Sequence, residues 1–130
     1  MEHKAFIELV REAIDKLEAQ GEPSLGPNGC AYLNHEGRCC VVGFMMPDDE
    51  TRRQADDRGP DEDLPTNIYA LAIERELPWT KQFDAEQLSI LASLQNIHDY
   101  MACIVKSEFS KQFDQMRQLV AEYEGAKANA

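Results

Sequence analysis

The sequence predicts a single α+β domain: an N-terminal helix, one β-hairpin, and then three or more helices that pack on it. Apolar residues recur at helical spacing near both ends of the chain, and between them two β-prone apolar runs flank a turn that contains glycine. A chain of 130 residues can also form one core without disulfides or metals. The predicted domain spans residues 1–125, and residues 126–130 form a frayed tail.

The first helix is predicted over residues 2–20 because its apolar residues share one face. That face comprises Phe6, Val10, Ala13, Ile14 and Leu17. Gly21 is a natural C-terminal stop, since glycine readily adopts the left-handed conformation that ends many helices. Residues 21–29, rich in proline and glycine, are predicted to form a loop.

Residues 30–46 contain the only convincing β pattern and predict the hairpin. A three-residue turn at 35–37 places Cys40 on the same face as Cys30, whereas a two- or four-residue turn places Cys39 there. Both registers are open at this point. An isolated hairpin is only marginally stable in water, so we expect helices to cover one of its faces.

A long acidic loop is predicted at 47–65, because residues 47–63 contain eight acids, three arginines and no large aliphatic side chain. Clustered carboxylates could imitate a nucleic-acid backbone and occupy the basic groove of another protein. The alternative is a well-hydrated surface. The candidate binding residues are Asp48, Asp49, Asp56, Asp57, Asp61, Glu62 and Asp63.

Further helices are predicted in the second half of the chain. Thr66 or Asn67 can cap a helix that runs to about Glu76, with inward residues Ile68, Leu71, Ala72 and Ile73. Asp84 and Gln87 form a capping-box pattern that begins the next helix. Its predicted apolar seam comprises Ile90, Leu94, Ile97, Met101 and Ile104.

The seam is followed by a second apolar stripe, which comprises Val105, Phe109, Phe113, Met116, Val120 and Tyr123 and which Gly125 is expected to end. A continuous helix over both stripes would be too long for a small domain, so we expect a break between Asp99 and Ser107. The stripes fit internal packing and also fit a homodimer.

Several of these segments together resemble a family of small proteins encoded by phages and prophages. The motifs are Cys30-x-Tyr32, Gly37, Cys40-x-Val42-Gly43 with Pro47-Asp48 after it, and Leu94-Gln95-x-Ile97-His98-Asp99. Cys39 stands where the family usually has Lys, and Val41 where it usually has Ala. The family has no assigned activity, so the resemblance implies a phage-related origin and a shared fold but transfers no catalytic role.

Cys40, His98 and Asp99 are the candidate catalytic residues of an alternative, enzymatic hypothesis, since thiol, imidazole and carboxylate are the parts of a cysteine nucleophile site. Neighbouring helical residues point about 100° apart, which makes Asp99 a poor partner for orienting His98 and favours Gln95 instead. The simpler interpretation is that the thiol and the imidazole belong to the core.

The cysteines lack the spacing of a metal site, and we predict neither metal nor cofactor. In a reducing cytosol, all four are expected to be free thiols. They are Cys30, Cys39, Cys40 and Cys103.

The net charge of −11 argues against nucleic acid or an anionic membrane as the main partner. The leading hypothesis is a cytoplasmic, non-enzymatic phage-type accessory protein that binds a host protein with a basic surface. The alternatives are a thiol-dependent enzyme that uses Cys40 and His98, or a small-ligand-binding protein with a pocket lined by Tyr32, His98 and Trp79.

Overall fold

The computed structural model describes residues 1–128, except for the side chains of residues 103, 104, 106 and 107. Its architecture confirms the predicted fold class: an N-terminal helix, a small antiparallel hairpin, and further helices packed on the first. The elements are α1 (His3–Gln20), β1 (Leu25–Gly26), β2 (Gly29–Cys30), α2 (Val41–Met45), α3 (Asp49–Asp56), a π-helical turn (Ala70–Glu74), a 3₁₀ turn (Pro78–Gln82), α4 (Ala85–His98), a second π-helical turn (Asp99–Ile104), a second 3₁₀ turn (Lys106–Lys111) and α5 (Gln112–Ala128).

Helix α1 begins one residue later than predicted and has the predicted buried face, to which Ile7 is added. The carboxylate of Glu2 caps it by accepting hydrogen bonds from the backbone N–H groups of Lys4 and Ala5. At the other end Gly21 has a φ of +76° and donates to the carbonyl of Leu17. The helix therefore ends at the residue that the sequence indicates.

The hairpin lies earlier in the chain than predicted. Leu25 pairs with Cys30, and Gly26 pairs with Gly29, around a two-residue turn. Gly29 adopts a φ of +105°, a conformation open mainly to glycine. The predicted loop over residues 21–29 is therefore only partly correct. Residues 21–24 are irregular, but Leu25–Gly26 and Gly29 belong to the hairpin, whose tight turn contains proline and glycine.

Of the predicted hairpin at 30–46, a single antiparallel bridge between Leu33 and Cys39 is present. It follows the three-residue register: the N–H of Asn34 donates to the carbonyl of Arg38, and Gly37 has a φ of +79°. The strand predicted after this turn is instead helix α2. Four of its five residues are buried, and periodicity does not distinguish a fully buried strand from a fully buried helical turn.

The segment predicted as a loop over 47–65 contains helix α3. Asp48 caps it by accepting a hydrogen bond from the backbone N–H of Thr51 at 2.8 Å, and Asp49 and Glu50 occupy the first turn. Acidic residues at the N-terminal end stabilise a helix. The loop-like composition of this segment led to the wrong prediction. Residues 57–65 are the irregular part.

Asn67 caps the following helical segment through the N–H of Ala70, as one of the two predicted caps. Ile68 and Leu71 are buried, but Ile73 is 72% exposed, so its predicted inward position was wrong. The π-helical turn accounts for this difference. The N–H of Arg75 bonds to the carbonyl of Ala70, five residues back, and the wider turn rotates Ile73 away from the core.

The predicted capping box of α4 is present, with reciprocal hydrogen bonds between Asp84 and Gln87. The predicted seam is only partly correct. The buried residues of α4 are Gln87, Leu91, Leu94 and His98, whereas Ile90, Ile97 and Met101 are half-buried and the side chain of Ile104 is outside the described set. The expected break is present: α4 ends at His98, and Val105 leaves helical geometry.

Helix α5 packs along α1, and the predicted residues Phe113, Met116, Val120 and Tyr123 are buried. Half-exposed ion pairs also join the two helices: Arg11 pairs with Glu124 at 2.8 Å, and Arg117 pairs with Asp15 and with Glu18, each at 3.0 Å.

The C-terminal end of α5 differs from the prediction. The helix continues past Gly125 to Ala128, so the tail predicted at 126–130 is helical for its first three residues, and residues 129–130 are outside the described range. None of the helices described over 1–128 is both long and apolar enough to cross a membrane.

Candidate ligand-binding cavity

A cavity of about 460 Å³ lies between the hairpin, the segment after it, residues 65–67 and the C-terminal end of α4. Five residues from the motifs singled out in the sequence line it: Cys30, Tyr32, Cys40, Gln95 and Asp99. The remaining lining residues are Asn28, Gly29, Pro65, Thr66, Asn67 and Asn96. The fold therefore brings residues from separate sequence motifs together around one cavity.

Tyr32 is fixed in the cavity wall by hydrogen bonds at both ends. Its hydroxyl donates to the carbonyl of Thr66 and accepts from the side-chain amide of Gln95 at 2.6 Å. Its backbone N–H and that of Leu33 donate to the carboxylate of Asp56 at 2.9 and 3.0 Å. Burial raises the pKa of the Tyr32 hydroxyl, which stays protonated as a rigid donor.

Gly43 explains why the motif after Cys40 ends in glycine. A Cβ atom at position 43 would lie 2.2 Å from the carbonyl oxygen of Tyr32. Helix α2 can therefore press against the backbone of Tyr32 only where no side chain intervenes. Gly43 supports the cavity wall and does not line it, and Gly37 likewise serves the turn.

Cys40 is unsuited to nucleophilic chemistry. It is 5% exposed, and its Sγ accepts a hydrogen bond from the backbone N–H of Gly43 at 3.3 Å. Burial raises the pKa of this thiol, which therefore stays protonated at neutral pH. Cys40 contributes an apolar, neutral portion of the wall.

His98 faces the core and not the cavity. It is fully buried, and its Nδ1 lies 2.6 Å from Oε1 of Gln112. The amide nitrogen of Gln112 donates to the carbonyl of Phe109, which leaves its oxygen to accept, so Nδ1 of His98 carries the proton. Burial lowers the pKa of His98, and Nε2 has no hydrogen-bond partner among the described residues.

The candidate catalytic residues are therefore not assembled into a triad. Cys40 and Asp99 line the cavity, but His98 does not, and its ring bonds to Gln112. Over the described part of the chain no hydrogen bond joins any two of the three. This agrees with the core interpretation of the imidazole that the sequence already favoured.

Asp99 differs from the other groups in the wall. Burial raises the pKa of its carboxyl to about 6, and no described residue donates a hydrogen bond to it.

Three exposed asparagines lie at the opening of the cavity. Asn96 is one turn before Asp99, and Asn28 and Asn67 are the other two. Sequence reasoning missed these asparagines, because exposed polar residues in turns and helices are common and carry no distinctive signal.

The predicted acidic surface is divided by the fold, because four of its seven carboxylates have partners within the chain. Asp48 caps α3, Asp49 pairs with Arg52, Asp57 accepts from the N–H of Gly59, and Asp56 holds the two N–H groups described above. Asp61, Glu62 and Asp63 are exposed and form no ion pair among the described residues. Only these three of the candidate binding residues present an unpaired acidic surface.

The predicted ligand pocket of Tyr32, His98 and Trp79 does not form. Trp79 lies in a separate groove beside Leu9 and Phe44, whereas His98 faces Gln112. Tyr32 is the one member of the three that lines the cavity described here.

The cysteines differ from the predicted set of free thiols. Cys39 and Cys40 are free, but Cys30 is part of a disulfide bond, and the side chain of Cys103 is outside the described set. Among the described residues, no group of three or more His, Cys, Asp or Glu side chains could hold a metal ion.

Comparison with family models, with curated proteins and with solved structures found no match for this chain. The resemblance to the phage family therefore stays a prediction from the motifs.

Proposed function

We propose that this protein is a non-enzymatic binding protein that holds a small polar molecule in the cavity between Tyr32 and Asp99. The observation that supports this most directly is the convergence of motif residues from Cys30 to Asp99 on one cavity. A volume of about 460 Å³ suits a small molecule, and binding pockets typically combine apolar walls with a few polar groups. This develops the small-ligand alternative and agrees with a phage-type accessory role.

The rigidity and the protonation of the residues in the cavity wall favour binding over catalysis. Tyr32 and Gln95 hold each other in fixed positions, and Cys40 presents a protonated thiol. A rigid wall reduces the entropy that binding must overcome, whereas a protonated, buried thiol is a poor nucleophile. The polar groups at the rim then provide the hydrogen bonds that orient a ligand.

The experiment is a ligand-detected NMR screen of small polar metabolites against the wild-type protein and two variants. Asn96→Trp places a large ring at the rim of the cavity, and Ser89→Trp places the same ring on an exposed part of α4 away from it. We expect hits that Asn96→Trp abolishes and Ser89→Trp retains. An absence of hits, or hits that survive Asn96→Trp, would overturn the proposal.

A second function is supported by the exposed group Asp61, Glu62 and Asp63. These acids have no ion pair among the described residues, and the chain carries a net charge of −11. They could bind a host protein with a basic surface, an association that salt would weaken. This is the remaining part of the acidic contact surface predicted from the sequence.

The test is a pulldown from host lysate with the wild-type protein and with a triple reversal of these acids to Lys. The matched control reverses Glu8, Glu74 and Glu122, which are exposed acids that form no ion pair among the described residues. We expect the wild-type protein and the control to capture a partner that the triple reversal of Asp61, Glu62 and Asp63 does not capture. Retention of that partner with unchanged salt sensitivity would overturn this second proposal.

A further inference from the structure

The described residues of the cavity wall include one carboxylate and no basic group. Among the described residues that line the cavity, none is Lys, Arg or His. The remaining polar groups are amides and hydroxyls, which are neutral. A phosphate or a carboxylate would therefore enter beside Asp99 without a cation among the described lining residues to balance it, which disfavours anionic ligands.

The hydrogen-bond inventory indicates which groups a ligand must supply. The Tyr32 hydroxyl already donates to Thr66, and the oxygen of Gln95 already accepts from the N–H of Ile68 at 3.1 Å. Asp99, by contrast, receives no hydrogen bond from any described residue. The comparison with Asp56 is informative, because that partly buried carboxylate accepts two backbone N–H groups. Asp99 is left with acceptor capacity for N–H donors.

The described groups around Asp99 do not supply a counter-charge. The Tyr32 hydroxyl and the Cys40 thiol face it from the segment after the hairpin, and its charge disfavours ionisation of both. Asp56 of α3 lies near the same tyrosine and is an acid. The preceding residue, His98, is turned toward Gln112, and burial lowers the pKa of its imidazole, which disfavours the charged form. Asp99 is thus a partly buried acid with no Lys or Arg among the described residues that line the cavity with it.

We propose that the ligand of this cavity is a small organic cation whose ammonium or guanidinium group pairs with Asp99. The inference rests on the proposed function and names its ligand class. A carboxylate in a partly dry site gains both charge neutralisation and N–H hydrogen bonds from such a group. The neutral amides at the rim then contact the polar remainder of the ligand.

A pH dependence follows from this pairing. The cation binds the ionised carboxylate, and burial raises the pKa of Asp99 to about 6. At pH 7.5 nearly all molecules carry the charged form, whereas at pH 5 about one in ten does. The affinity should therefore fall about tenfold over this range, and binding near pH 6 should release a proton.

The probes are n-butylguanidinium and n-butylurea, which match in shape and differ in charge. Their dissociation constants are measured by two-dimensional NMR titration of the intact protein at pH 7.5 and pH 5. We expect n-butylguanidinium to bind at the cavity at least tenfold more tightly than n-butylurea at pH 7.5. At pH 5 the affinity for n-butylguanidinium should be about tenfold lower, whereas that for n-butylurea should change little. The same titration with n-butylammonium tests the ammonium group in place of the guanidinium group.

Two variants separate the pairing from general attraction to an acidic protein. Asp99→Asn removes the cavity charge and should abolish the preference for the cation, whereas Asp61→Asn removes one exposed charge and should preserve it. Unchanged amide spectra verify the fold of each variant. The pH titration of the wild type tests the pairing with Asp99 without any substitution, because it changes the charge of that carboxyl directly.

Equal binding of n-butylurea and n-butylguanidinium in the cavity would overturn this inference and leave the proposed function standing. Binding of neither probe would also overturn it, and the metabolite screen would then decide the proposed function separately. A cation preference that Asp99→Asn leaves intact would show that the general acidic surface is responsible, and it would overturn the pairing with Asp99.

Discussion

The side-chain amide of Gln95 donates a hydrogen bond to the hydroxyl of Tyr32 at 2.6 Å, and so ties α4 to the segment that follows the hairpin. The same two side chains also engage the backbone of residues 66–68. Tyr32 donates to the carbonyl of Thr66, and Gln95 accepts from the N–H of Ile68. Three separate parts of the chain are therefore joined by one pair of residues at the cavity wall.

Removing the Tyr32 hydroxyl should destabilise the protein. Tyr32→Phe leaves the amide of Gln95 and the carbonyl of Thr66 without their partner in a largely buried place, at a cost of about 1–3 kcal/mol. The free energy of unfolding is measured by urea denaturation. Tyr100→Phe is the control, because Tyr100 is 56% exposed and its hydroxyl forms no side-chain hydrogen bond among the described residues. Equal stability losses in the two variants would contradict the prediction.

Gly43→Ala should be strongly destabilising. The added methyl group would lie 2.2 Å from the carbonyl oxygen of Tyr32, and two packed backbones would have to separate, at a cost of about 3 kcal/mol or more. Gly125→Ala is the matched control: it is inside α5, and nothing lies within 4 Å of the place that an added Cβ would occupy. Alanine there should stabilise the helix by up to about 1 kcal/mol. Thermal unfolding of both variants gives the comparison, and a neutral Gly43→Ala would refute the close approach.

His98 should make the protein sensitive to acid. Burial lowers the pKa of His98 below its ordinary value of 6.5, so the unfolded chain takes up this proton before the folded protein does. The free energy of unfolding should therefore fall as the pH drops below about 6.5, by at most about 1.4 kcal/mol per pH unit.

The measurement of this pH dependence has to remove the contribution of Asp99. The pKa of Asp99 is raised, so the folded protein holds that proton more strongly and the contribution of Asp99 to stability falls as the pH rises from about 4 to 6. Urea denaturation is therefore compared between Asp99→Asn and the double variant with His98→Gln, from pH 5 to 7.5. Parallel curves would count against a depressed pKa at His98.

The Cys40 thiol should react slowly in the folded protein. It is buried and its pKa is raised, so little thiolate is present or accessible. Alkylation by iodoacetamide at pH 8, followed by peptide mass spectrometry, should modify Cys40 at least a hundredfold more slowly than in urea-unfolded protein. Rapid modification of the native thiol would revive the enzymatic hypothesis.

Local signals predicted several elements well. Gly21 ends α1 and the capping box at Asp84 begins α4, because a helix terminus depends on a few neighbouring residues. The hairpin was misplaced for a different reason: residues 41–45 are apolar on all sides, a pattern that a buried helical turn shares with a strand. Composition likewise concealed α3, whose formation depends on the cap at Asp48.

The site was predictable in its parts but not in its assembly. Tyr32, Cys40, Gln95 and Asp99 were singled out by the motifs, yet their convergence depends on packing between distant segments. The rotation of His98 away from them follows from the hydrogen bond to Gln112, fourteen positions later. A contact of this kind produces no periodic pattern in the sequence, so it cannot be predicted from one.

The pairing of α1 with α5 has a consequence for how the chain is made. Arg11 and Glu124, which join the two helices, are 113 positions apart, so α1 is synthesised long before α5. Until α5 leaves the ribosome, Phe6 lacks the Tyr123 ring that packs edge-on against it. Much of the cavity wall can form earlier, since Asp99 precedes α5. The nascent protein should therefore carry an uncovered apolar surface late into translation, when molecular chaperones are best placed to bind it.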